Sequence, residues 1–153
     1  MALTHDAIRI HYVKSDKDTH FTDALAQNAV EHENIAMGNA LVGCEECIIE
    51  GVVLLSDQNL EWDVFFWTRS TNLDTDADID TFLDYIKFKQ TEGRQIAGTG
   101  LWYYSWTNLG IPYKDEDQSE EFHVSLCNRS ATSKNAGATG EVVVKLMVRP
   151  FPS

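Results

Sequence analysis

Trp62-Asp63-Val64-Phe65-Phe66-Trp67 and Leu101-Trp102-Tyr103-Tyr104-Ser105-Trp106 carry the reading that decides the fold. Both are rich in aromatic and β-branched residues, and both are too short for an ordinary globular helix. Phe122-His123-Val124-Ser125-Leu126 and Val142-Val143-Val144-Lys145-Leu146-Met147-Val148 repeat the pattern further on, separated by acidic or Gly-rich breaks. These segments predict strands of one sheet system.

Ile8, Ile10 and Tyr12 alternate with Arg9, His11 and Val13, predicting a first strand with one buried face. Thr22 to His32, with Thr22 as cap and Leu25 and Ala29 on one side, predicts a short helix. Ile48 to Leu55 is mostly apolar around Glu50-Gly51, which predicts a strand covered on both faces with a bulge or close approach at Gly51. Asp57-Gln58-Asn59 then predicts a turn, closing a hairpin with the Trp62 to Thr68 strand. A further strand is expected at Tyr85 to Gln90, and Pro112, Asp115-Glu116-Asp117 and Ser130 to Gly140 are expected to be breaks, the last a mobile or partner-ordered loop.

About seven or eight strands without crossover helices predict an all-β fold, an antiparallel β-sandwich of jelly-roll type. At 153 residues the chain is expected to be a single domain, with residues 1–43 an extended or partner-ordered N-terminal segment.

Twenty-four acidic against twelve basic residues give a net charge of −12, which repels a phosphate backbone, so nucleic acid is not an expected partner. Met1 to Arg9 has no basic stretch leading into an apolar run, so no secretory signal is expected. No stretch approaches the ~18 apolar residues of a membrane-spanning helix, and no membrane partner is expected. Three cysteines, Cys44, Cys47 and Cys127, are too few for a disulfide scaffold.

Motifs with chemistry are sparse, and no cofactor is expected. Cys44-Glu45-Glu46-Cys47 has metal or redox spacing but no second ligand pair, and its glutamates disfavour a thiolate. Asp74, Asp76, Asp78 and Asp80 alternate as in hard-cation loops, making this the candidate cation site. Ile79 and Tyr85 stand where an EF-hand needs Gly and Glu, which excludes that motif. The five histidines form no HxH or HExxH, against a cupin-type metal enzyme, and His123 is expected on a solvent or interface face. Nucleophile-elbow and nucleotide-cradle motifs are absent, so no catalytic residue is assigned and a non-enzymatic protein is expected. Trp102, Tyr104 and Trp106 share one face of their strand, for core packing, subunit contact or sugar stacking. Asn128-Arg129-Ser130 matches a glycosylation sequon but reads as a turn.

In general layout the chain resembles small β-sandwich virion proteins of tailed bacteriophages, of the head-decoration (cement) or tail-associated type. The likeness lies in the irregular N-terminal segment, the hairpin Glu50 to Arg69 with Asp57-Gln58-Asn59 at its turn, and the closing segments Glu121 to Ser130 and Gly140 to Val144. It transfers no residue roles. It implies a virion component made in the host cytoplasm, with shell or tail proteins as partners and a homo-oligomeric state. A carbohydrate-binding or host-recognition module, with a glycan on the aromatic segment, is the alternative.

Overall fold

A computed structural model describes residues 10–37, 46–70 and 80–151. Among these residues nine strands occur in the order β1 (His11–Lys14), β2 (Val30–Ala36), β3 (Glu46–Ser56), β4 (Trp62–Trp67), β5 (Phe82–Phe88), β6 (Arg94–Gln95), β7 (Trp102–Lys114), β8 (Glu121–Asn128) and β9 (Val142–Pro150). All neighbours pair antiparallel, in a five-stranded sheet β1-β9-β3-β7-β6 and a four-stranded sheet β2-β8-β4-β5. The pairs β1 with β9, β2 with β8, β3 with β7 and β4 with β5 are nested, as if one long hairpin had been wrapped across two sheets. That nesting is jelly-roll topology, so the fold is the β-sandwich that the strand pattern predicts.

Alternation builds the core. Phe122, Val124 and Leu126 of β8, Trp62, Val64 and Phe66 of β4, Val52 and Leu54 of β3 and Val142, Val144 and Leu146 of β9 are all wholly buried in one apolar cluster. Gly51 sits at a register shift of β3 against both neighbours, and a Cβ there would lie 2.2 Å from Met147 Cε and 2.9 Å from the Trp106 carbonyl oxygen. The expected close approach at this glycine is present. Among the described residues no helix is long and apolar enough to cross a membrane.

Several local expectations are corrected. Thr22 to His32 contains no helix. The N–H groups of Thr22 and Asp23 donate to the Glu31 carboxylate at 3.0 and 3.2 Å, Leu25 bridges to Lys134, and Asn28 turns at φ 67°, so these backbone groups are committed elsewhere. The expected β3–β4 hairpin does not form, because Asp57-Gln58-Asn59 carries the chain from one sheet to the other. In β1 it is Val13 that is buried, while Ile10 and Tyr12 are exposed; Val13 lies opposite the buried Leu146 of β9, and this register sets the inward face. Pro112 does not break β7 but lies inside it opposite Ile48, in a stretch where β7 has no second neighbour to need its missing N–H.

Residues 10–37 are integral to the sandwich, contributing β1, β2 and the buried Val13, Phe21, Leu25, Ile35 and Met37, which departs from the extended segment expected over residues 1–43. The loop Ser130 to Gly140 is tied to its own chain: Lys134 exchanges backbone bonds with Leu25, the Asn135 N–H donates to Gln58 Oε1 at 2.7 Å and the Gly137 N–H donates to the Thr22 carbonyl at 3.0 Å. Asn128, the sequon residue, is wholly buried; its amide donates to the Leu25 and Thr132 carbonyls and its oxygen accepts the Ser130 N–H, forming the expected turn.

Candidate functional site

The outward face of the four-stranded sheet collects the side chains with most chemical character. Because Phe122, Val124 and Leu126 point inward, His123, Ser125 and Cys127 of β8 point outward. By the same alternation β4 presents Phe65 and Trp67 there, and the register sets Asn34 of β2 opposite His123 and His32 opposite Ser125. Phe82 and Tyr85 of β5 stand opposite Trp67 and Phe65.

These polar groups form one connected chain. His123 Nε2 lies 3.0 Å from Asp115 Oδ1, and its Nδ1 lies 2.8 Å from Asn34 Oδ1. Asn34 Oδ1 also meets His32 Nε2 at 3.2 Å, His32 Nδ1 meets Ser125 Oγ at 2.9 Å, and the Trp67 indole N–H donates to Ser125 Oγ at 2.9 Å. The two imidazoles stack with centroids 6.3 Å apart and planes 9° from parallel. Burial, with some help from His123, pushes the His32 pKa down, favouring the neutral ring. A neutral His32 that donates from Nε2 to Asn34 accepts the Ser125 hydroxyl proton at Nδ1, while the Ser125 oxygen accepts from Trp67.

Asp115 organises the turn between β7 and β8. Burial opposes its ionisation, but bonds from the Ser119 hydroxyl, His123 and the N–H groups of Glu121 and Asp117 outweigh it and hold the carboxyl below its ordinary range. Tyr113 braces the same point, donating to the Glu121 carbonyl and accepting the His123 N–H, each at 3.1 Å. His123 therefore faces outward from the sheet, as expected, yet is only 1% exposed because Asp115, Asn34 and His32 enclose it.

A serine hydroxyl bonded to an imidazole is the start of a nucleophilic site. Ser125 is wholly buried and already accepts from Trp67, so its Oγ offers a substrate no approach. The chemistry available here is hydrogen-bond bracing and, at Asp115, Asp117 and His123, cation binding. Those three are the group among the described residues whose ligand atoms converge.

Beside this network lies an aromatic cluster. Phe82 packs edge-on against Trp67 at 5.3 Å and tilted against Phe65 at 6.2 Å, and Phe65 meets Tyr85 at 6.0 Å. Tyr85 is 51% exposed and Phe82 40%. The Arg129 guanidinium lies over Phe65 at 6.0 Å and pairs with Asp63 at 2.6 Å, and Lys87 pairs with Glu61 at 3.2 Å. The carboxylates of Asp63 and Glu61 are thus neutralised locally.

The residues singled out from sequence are dispersed. Asp74, Asp76 and Asp78 lie outside the described residues, and Asp80 is exposed just before β5. Tyr104 is wholly buried, donating to the Leu60 carbonyl at 2.9 Å and to Asn59 Oδ1, Trp102 is half-buried against the core, and Trp106 is 46% exposed with its N–H on the Lys87 carbonyl. The three do not form one exposed platform. Cys44 is outside the described residues, and Cys47 and Cys127 are buried. The outer-face residues were missed because His32 with Asn34, and His123 with Ser125, are ordinary two-residue alternations that gain meaning only once β2 and β8 are paired.

No protein-family model and no curated protein sequence matches the chain. Among solved structures it is similar to a chain from Desmodium yellow mottle tymovirus, with 11% identity, 95% of this chain and 89% of that chain covered, and a TM-score of 0.35. The fold assignment rests on the strand pairing and not on this likeness.

Proposed function

We propose that the chain is a non-enzymatic virion structural protein that works in many copies through protein–protein contacts; the finer form, suggested by the sequence resemblance, is a phage capsid-decoration (cement) or other virion assembly component. The observation that carries the reading is the aromatic cluster Phe65, Trp67, Phe82 and Tyr85 on the outward face of β4 and β5. A sheet face in water ordinarily carries polar side chains, and exposed aromatic patches mark contact surfaces. Among the described residues strand β5 is also a sheet edge, paired only with β4. In a molecule of charge −12, the pairing of Asp63 with Arg129 and of Glu61 with Lys87 lowers the repulsion a second copy meets beside this patch. Jelly rolls serve viral shells and lectins alike, so the fold supports the reading without choosing it.

The test is sedimentation velocity and electron microscopy of the purified chain beside a Phe82→Ser/Tyr85→Ser variant. Ordered multimers of the parent and monomers of a folded variant are expected. A parent that is monomeric at every concentration and absent from particles contradicts the proposal.

A second reading, glycan binding, has its own observation. Tyr103, 37% exposed on the outer face of β7, lines an open cleft of ≈ 540 Å³ with Thr91, Glu92, Arg94 and Ser105. An aromatic face ringed by hydroxyl and charged groups suits a sugar. Glycan-array signal lost in Tyr103→Ala supports this reading, and an array without signal removes it.

A further inference from the structure

Below the end of β4, at the turn between β7 and β8, an oxygen of Asp115, an oxygen of Asp117 and a ring nitrogen of His123 lie within 4.8 Å of one another. We propose that these three residues bind a divalent transition-metal ion of the zinc kind, with water completing its coordination, and that the ion fastens the β7–β8 turn to β8. This proposal is independent of the virion reading.

The first argument is the ring orientation. His123 Nδ1 lies 2.8 Å from Asn34 Oδ1, an acceptor that calls for an N–H on Nδ1. Nε2, the other ring nitrogen, donates to Asp115 Oδ1 at 3.0 Å and lies 3.9 Å from Asp117 Oδ2, so an ion taking the place of that proton meets both carboxylates. An imidazole steered through its other nitrogen by an amide oxygen is the usual outer-shell support of a metal-bound histidine.

The carboxylates are steered as well. Asp115 Oδ2 accepts the Ser119 N–H, the Ser119 hydroxyl and the Glu121 N–H, while Oδ1 accepts only the Asp117 N–H besides facing His123. On Asp117, Oδ1 takes the Arg69 guanidinium at 3.3 Å, and Oδ2 takes the Ser70 N–H at 2.7 Å and retains a lone pair toward His123. Tetrahedral zinc with ligands at about 2.0–2.1 Å separates those ligands by roughly 3.4 Å. The observed 3.0 and 3.9 Å bracket that spacing.

Charge and chemistry agree. Asp115, Glu116 and Asp117 carry three negative charges against the one positive charge of Arg69, leaving two to be neutralised. One imidazole with two carboxylates suits zinc or manganese better than calcium, which takes six or more oxygens. Asp115 and His123 are buried, whereas the Asp117 side chain is 30% exposed and gives an ion its entry.

Calorimetric titration of the full chain with Zn²⁺, with thermal melting before and after EDTA, tests the site against Asp117→Asn, whose partly exposed position leaves the fold intact, and His123→Gln. One ion per chain, a raised melting temperature reversed by EDTA, and at least tenfold weaker binding in Asp117→Asn are expected. Co²⁺ should give visible bands that are lost in His123→Gln. No saturable Zn²⁺ or Co²⁺ binding overturns the proposal. So does binding equally tight in Asp117→Asn, as for an ion held in the Asp74 to Asp80 stretch, or a ring-nitrogen NMR spectrum that keeps a proton on His123 Nε2 at saturating Zn²⁺.

Discussion

Tyr104 shows how one residue of an apparent recognition motif belongs to the core. Its ring is wholly buried 5.7 Å from Phe88, its hydroxyl is tied to the Leu60 carbonyl and Asn59, and burial pushes its pKa up to about 12. Tyr104→Phe keeps the packing and drops those bonds, so it should lower the urea-unfolding free energy by about 1–2 kcal/mol with an unchanged m-value. Glu31 makes a pH-dependent prediction. Burial, chiefly, raises its pKa to about 7 from 4.5, so the folded state binds the proton more tightly than the unfolded chain. The stabilisation is full below about pH 4.5 and is lost as pH rises through about 7. The stability of Glu31→Gln relative to the parent should therefore rise between pH 5 and pH 8, by on the order of 2 kcal/mol. Parallel profiles from urea titrations at the two pH values would show that Glu31 is not the group responsible. His32 acts with the opposite sign: its lowered pKa gives stability that is present above about pH 6.5 and lost as pH falls through the folded value.

At the scale of elements, β3, β4, β8 and β9 were legible as strands because short aromatic and β-branched runs between turn residues fit a pleated sheet, and in β8 the alternation also placed His123 on the face opposite to Phe122 and Val124. Partners were not legible. The hairpin expected between β3 and β4 is a crossing between sheets, and Val13 rather than Tyr12 turns inward because β9, distant in sequence, sets the register of β1. The helix expected near Leu25 lost to long-range bonds with Glu31 and Lys134 that no local pattern reports. The aromatic segment announced a strand but not which of its rings would be covered. Gly51 was legible as a place of close approach, and Gly51→Ala should destabilise the fold by about 1–3 kcal/mol, since the new methyl meets the fixed Trp106 carbonyl as well as the movable Met147. A melting temperature equal to the parent's would mean that β3 and β7 can shift apart without cost.

For the whole molecule, the nested strand pairs set two faces with different characters. The four-stranded sheet turns outward a braced polar chain, Asp115–His123–Asn34–His32–Ser125–Trp67, with an aromatic cluster beside it at an open edge. That network holds Trp67 against Ser125, and Trp67 supports Phe82. In the proposed function, this face joins copies of the chain into an ordered assembly. Sedimentation velocity of the parent and of Phe82→Ser/Tyr85→Ser, with both proteins shown to be folded, is the decisive measurement. A concentration-dependent multimer that collapses to monomer in the variant is the predicted result, and identical sedimentation of the two proteins would contradict it.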